Sequence, residues 1–175
     1  MKVFIVIDMQ NDFISGALGN PETLAVVEPM VERVKEVIAE GTEILYTLDT
    51  HFENYSDTQE GKNLPVPHCI KGTEGHNLIP ELMSLINDES RAVEKIIFGS
   101  KELPQRVIDV CGGIPDEIEL AGVCTDICVI SNAMILKAFF PETKIIVNGR
   151  CCARVSPESH SRALEAMKMC QITVI

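Results

Sequence analysis

Short, β-branched apolar runs alternate with helix-patterned segments from one end of this chain to the other. Residues 2–7, 43–48, 92–95, 117–121, 144–147 and 172–175 read as strands. Helices are expected over 29–40, 77–86, 104–110, 125–138 and 156–170. The strand runs lack polar alternation, so both of their faces must be covered. That demands a parallel sheet between two helical layers: an α/β fold, three-layer α/β/α, with a mostly parallel six-stranded, Rossmann-like sheet. The 175 residues contain no linker, repeat or low-complexity tract, so a single domain over 1–175 is expected.

Local signals agree with this rhythm. Pro29 suits a first helical turn and Gly41 a helix stop. Met30, Val34, Val37 and Ile38 share one helical face. Gly112-Gly113 ends another helix, Thr125 is the expected N-cap of a third, and Ser156-Pro157-Glu158 opens the last. A long polar loop covers 50–75.

A formal net charge of −11 repels phosphate backbones and anionic membranes, which argues against nucleic-acid and membrane partners. The apolar run after Lys2 is too short for a signal peptide, and none reaches the length of a membrane span. A soluble, cytoplasmic protein is therefore expected. Seven cysteines, an odd number set mostly in apolar segments, do not form a secreted disulfide framework. Most read as small buried hydrophobes.

In open parallel sheets, ligands bind beyond the carboxyl ends of the strands. Asp8, Asp49 with His51, Lys95, and the run Val123-Cys124-Thr125-Asp126-Ile127-Cys128 all fall at such ends. Cys128 sits in a first helical turn, where N–H groups and the helix dipole favour a thiolate and stabilise an oxyanion. The bland alternative is a helix cysteine packed on the sheet. Asp8 reads either as a proton carrier or as a structural acid. Lys95 reads either as a partner of that acid and thiol or as a snorkelling surface lysine. Asp49-x-His51 with His68 is a metal pattern, with Glu60 or Asp57 as a further ligand from the loop. Carboxylate plus imidazole permits Zn²⁺, Fe²⁺ or Mn²⁺. His76 reads as a helix-start residue and His160 as a surface helix residue. Gly72-Thr73-Glu74-Gly75 lacks the lysine and spacing of a phosphate loop.

These residues resemble the isochorismatase-like cysteine hydrolases, in particular their nicotinamidase/pyrazinamidase branch. Val6-Ile7-Asp8-Met9-Gln10-Asn11-Asp12-Phe13 is similar to the family's first-strand signature, and Ala121-Gly122-Val123-Cys124-Thr125-Asp126-Ile127-Cys128-Val129 to its nucleophile motif. Asp49-Thr50-His51, followed by Pro67-His68-Cys69 and Lys71-Gly72-Thr73, is similar to the metal segment of nicotinamidases. The resemblance implies the isochorismatase-like fold and a catalytic set of Asp8, Lys95 and Cys128. It also implies a cis peptide before Cys124, with the N–H groups of Cys124 and Cys128 as oxyanion hole. A divalent ion, Zn²⁺ with Fe²⁺ or Mn²⁺ as alternatives, would sit on Asp49, His51, His68 and Glu60. Substrate contacts would come from Phe13 and Gln10, with Phe13 as the aromatic wall, because Leu64-Pro65-Val66-Pro67 offers no aromatic. Isochorismatases proper act on an enol ether and lack the cysteine nucleophile, so Cys128 points away from that branch.

The expected activity is hydrolysis of nicotinamide to nicotinate and ammonia through a Cys128 thioester, a step of NAD salvage. The alternatives are another small amide or ureido substrate on the same residues, or a non-catalytic thiol or metal-binding protein with Cys124 and Cys128 as a redox pair. The expected partners are a small-molecule amide and further copies of the chain in a homo-oligomer.

Overall fold

The computed structural model describes residues 1–153 and 156–175. Six strands form one sheet in the order β3-β2-β1-β4-β5-β6: β1 (Lys2–Ile7), β2 (Glu43–Asp49), β3 (Ala92–Lys95), β4 (Glu117–Gly122), β5 (Lys144–Cys152) and β6 (Thr173–Val174). Every neighbouring pair is parallel, as the apolar runs require. Phe4, Ile5, Val6 and Ile7 on β1 are fully buried, and so are Leu45, Ile118, Leu120 and Val147 on the flanking strands.

Among the described residues eight helices flank the sheet: α1 (Asn11–Ile14), α2 (Pro21–Ala25), α3 (Val27–Ala39), α4 (Gln59–Asn63), α5 (Pro80–Met83), α6 (Leu103–Cys111), α7 (Ile130–Phe139) and α8 (Pro157–Met169). Helix α3 buries Met30, Val34 and Val37, but Ile38 falls off that face and is exposed. Gly41 and Gly112 take left-handed backbone conformations just past α3 and α6, as expected of helix stops. Among the described residues no helix is long and apolar enough to cross a membrane.

The polar loop is more structured than its composition implies. Short 3₁₀ turns (Tyr55–Asp57 and Glu74–His76) and α4 fold it over the carboxyl ends of β2 and β3. Thr125 is not a helix cap. Thr125–Val129 forms a π-helical turn ahead of α7, with Cys124 at the cap position. The Thr125 hydroxyl and N–H both donate to the Ala153 carbonyl, at 2.6 and 2.7 Å. Gly122, just before this turn, has φ 138°, and a Cβ there would collide with the Ile7 carbonyl. That close approach seats the turn against the end of β1.

Candidate active site

Neighbouring parallel strands deliver their last residues to one rim. Asp8 follows β1, with φ 50° turning the chain out of the sheet. Asp49 ends β2 and Lys95 ends β3, directly paired in register. The Lys95 ammonium lies 2.7 Å from Asp8 Oδ2, 3.0 Å from Asp49 Oδ1 and 3.7 Å from Cys128 Sγ. All four residues are buried, so Lys95 is no snorkelling surface lysine. Thr47 completes the floor. Its hydroxyl donates to Asp8 Oδ1 at 2.6 Å and accepts from the Asp8 N–H at 3.2 Å.

The electrostatics follow from this packing. Burial opposes the charge on Lys95, but Asp8, Cys128 and Asp49 together hold its pKa well above the usual lysine range. Burial lifts the Asp8 pKa by more than Lys95 lowers it, and Asp49 adds to the rise. Such an acid has a stronger pull on a proton, which suits a base. Burial also pushes the Cys128 thiol well above the ordinary cysteine range, against the pull of Lys95. The lowered thiol expected at a helix terminus is therefore not what the structure shows: the π-helical turn lies under the cavity, and desolvation outweighs the helix end. Burial pushes Cys124 up to about 12 as well. Thiol acidity does not choose between the two cysteines, but geometry does. The Cys128 sulfur faces the Lys95 ammonium at 3.7 Å, and that ammonium in turn sits on Asp8.

Asp49 also faces the other way. Its Oδ2 lies 2.9 Å from His51 Nε2 and 3.4 Å from His68 Nε2, and Glu60 Oε1 lies 3.5 and 3.7 Å from the same nitrogens. Burial works against its ionisation, but hydrogen bonds to both histidines and the Lys95 charge hold its carboxyl far below the usual range. One ligand atom from each of Asp49, His51, Glu60 and His68 can be chosen so that all lie within 4.8 Å of one another. His68 Nδ1 is 2.8 Å from the Val66 carbonyl, which can only accept, so Nδ1 carries a proton and Nε2 is the nitrogen that would ligate an ion, once the proton it shares with Asp49 is released. Glu60 Oε2 is buried without a hydrogen-bond partner among the described residues. Two imidazoles, two carboxylates and one orphaned oxygen fit a divalent transition ion. Asp57, the other acid considered, is exposed on its 3₁₀ turn and lies outside the set. The paired substitution His51→Ala, His68→Ala is expected to abolish uptake of about one Zn²⁺ per chain while the far-UV spectrum stays native. Elemental analysis after dialysis measures this, and full retention of zinc would rule the site out.

A cavity of about 310 Å³ opens above Cys124 and Cys128. Asp49, Glu60 and His68 form one side of it, and Phe13, Leu18, Leu64, Phe98 and Ile127 supply apolar wall. This volume is at the small end for ligand pockets and suits one compact ring. Phe13 lines the cavity with its ring edge-on to His68 at 5.5 Å. It does not stand alone, because Phe98 lines the same cavity. Gln10 is not on the wall. It is fully buried, and its side-chain amide bonds the backbone of Asp49 and His76. His76 is likewise buried, 2.9 Å from Thr50 Oγ1, and His160 Nδ1 lies 2.8 Å from Thr125 Oγ1. The peptide between Val123 and Cys124 is cis. All seven cysteines are free thiols, and Cys170 alone is exposed.

Known proteins share this fold. The isochorismatase family protein PncA of Bacillus subtilis is 32% identical over 175 residues, covering 93% of this chain and 92% of its own. The crystal structure of pyrazinamidase/nicotinamidase from Streptococcus mutans matches with a TM-score of 0.87 at 27% identity, over 100% of both chains. That of the pyrazinamidase of Pyrococcus horikoshii, in complex with zinc, matches with a TM-score of 0.80 at 26% identity, over 99% of this chain and 98% of its own. The isochorismatase domain model aligns with residues 2–175, and by that match the chain belongs to the isochorismatase family.

Proposed function

We propose that this chain is a cysteine amidohydrolase that converts a small carboxamide, nicotinamide first among them, to its acid and ammonia. One observation carries the reading. The Lys95 ammonium touches both Asp8 and Cys128, and Cys128 lines a cavity sized for a single ring. The amide substrates named for the Streptococcus and Pyrococcus proteins support the same choice. A non-catalytic thiol or metal-binding role leaves the buried Asp8–Lys95–Cys128 contact without a use.

Asp8 takes the Cys128 proton as the sulfur attacks the carboxamide carbon. Lys95 stabilises the negative charge that passes between thiolate and carboxylate. The Thr125, Ile127 and Val129 N–H groups are committed to Ala153 and Cys124 carbonyls. The Cys124 and Cys128 N–H groups, as the family resemblance implies, receive the oxyanion. Collapse breaks the C–N bond, and Asp8 returns the proton to the departing ammonia. Asp8 next deprotonates water, which attacks the thioester carbon. The C–S bond breaks, the acid leaves, and the proton returns to Cys128. Asp49, His51, Glu60 and His68 would hold a divalent ion, which would supply a Lewis-acid anchor for a ring nitrogen of the substrate. Phe13 and Phe98 border the ring and exclude water from it.

Ammonia release from a panel of nicotinamide, pyrazinamide, benzamide and a ureido compound tests the proposal. Nicotinamide and pyrazinamide are expected to turn over, with benzamide, which lacks the ring nitrogen, at least about 10-fold slower. Faster release from the ureido compound would replace the substrate class. No release from any of the four would overturn the reading.

A further inference from the structure

Gln10 lies one turn behind the rim and carries three hydrogen bonds on one buried side chain. Its Oε1 accepts from the Asp49 N–H at 2.7 Å, and its Nε2 donates to the Asp49 carbonyl at 2.9 Å and to the His76 carbonyl at 2.7 Å. Strand β1 stops pairing with β2 at Ile7 and Thr47, two residues short of Asp49. The Gln10 amide therefore takes the place of the missing peptide and bonds both backbone groups of Asp49 as a neighbouring strand would. On its other side Asp49 pairs with Lys95 in β3. Asp49 is clamped from both edges, and its carboxylate is divided, with Oδ1 to Lys95 and Oδ2 to His51 and His68.

We infer that Gln10 is a positioning residue that fixes Asp49 so that one carboxylate serves both the catalytic lysine and the metal set. This rests on the proposed function for its catalytic half only, since the metal half is read without substrate. Side chains of this kind, one step removed from a metal ligand, change metal affinity or activity by about 10–100-fold when removed.

The test measures Zn²⁺ affinity by competition with a chromogenic chelator. Gln10→Leu is expected to weaken Zn²⁺ binding about 10–100-fold and to lower kcat at saturating Zn²⁺ by at least about 10-fold, with KM for nicotinamide nearly unchanged. Gln10→Glu covers the case in which the leucine variant does not fold. It keeps the acceptor for the Asp49 N–H, sets an oxygen against both carbonyls, and carries the same expectation. Thr143→Val is the control for plain destabilisation. It removes a buried hydrogen bond to the Pro115 carbonyl, far from the rim, and is expected to leave Zn²⁺ affinity unchanged. In an Asp49→Asn background the Gln10 change is expected to add less than about 2-fold, because the carboxylate it positions is gone. A Gln10 variant with wild-type Zn²⁺ affinity, or the full effect persisting beside Asp49→Asn, would overturn the inference. Failure of nicotinamide turnover with these zinc results intact would instead overturn the proposed function.

Discussion

Lys95→Met is expected to lower turnover at least about 10²-fold and to destabilise the protein by about 3–5 kcal/mol. The two losses have one origin. The ammonium is bracketed by Asp8 at 2.7 Å and Asp49 at 3.0 Å, and all three side chains are almost fully buried. Methionine matches the length of the lysine stem but leaves two neighbouring carboxylates without a cation. Removing one member of a buried ion set is far more damaging than removing an exposed pair, because the remaining charges stay desolvated. Turnover falls because negative charge shuttling between Cys128 and Asp8 loses its only close cation among the described residues. Lys95→Arg is expected to restore little, since a planar guanidinium does not fit the space of a compact ammonium. Urea denaturation and steady-state ammonia release measure the two effects, and a Met variant with near-normal turnover would remove Lys95 from the chemistry.

Cys128→Ala should bring the largest catalytic loss, at least about 10⁴-fold, because deleting a nucleophile leaves only the residual rate from binding and oxyanion stabilisation. Cys124→Ala is the informative partner. Cys124 lines the same cavity, but the mechanism uses its backbone N–H, which alanine retains. Its turnover is expected to stay within about 10-fold of the unaltered protein. Both variants should bind Zn²⁺ normally, since neither thiol belongs to the metal set. Loss of activity in Cys124→Ala together with retention in Cys128→Ala would reverse the assignment of the nucleophile.

Much of the framework was legible from the residues because both-face burial leaves few options. A run such as Val3-Phe4-Ile5-Val6-Ile7 has no polar face to give to water, so it must be an inner parallel strand. Once the strands are placed, Asp8, Asp49 and Lys95 fall at their ends without further information. What lay hidden depends on three-dimensional return paths. Strand β5 continues through Asn148-Gly149-Arg150 to Cys152, where polar residues mask it, because Gly122 offers a pairing partner. The π-helical turn at Thr125–Val129 has the side-chain pattern of an ordinary helix, and only its hydrogen bonding tells the two apart. Glu60 reaches the metal set because α4 folds the polar loop back, and no spacing to His68 encodes that return. Phe98 reaches the cavity wall from beyond β3, where no sequence pattern marks it. Gln10 follows Asp8 closely in sequence, yet the chain turns at Asp8 and carries the Gln10 amide behind the cavity wall.

The rim residues are spaced by the sheet itself. Strands β3 and β2 lie side by side with Lys95 and Asp49 in register, at the interval of about 4.8 Å that backbone hydrogen bonds set, and Asp8 follows directly where β1 leaves the sheet beside them. The cavity above them is built differently, from loop side chains such as Leu18, Leu64 and Phe98. Reaction and selectivity are thus mechanically separate. Residues in those loops can be exchanged, or the loops lengthened, without moving the acid, the lysine and the shared carboxylate relative to one another. Retargeting this scaffold to a different ring or chain is a problem of re-cutting its loops, on a reactive platform whose dimensions a β-sheet holds constant.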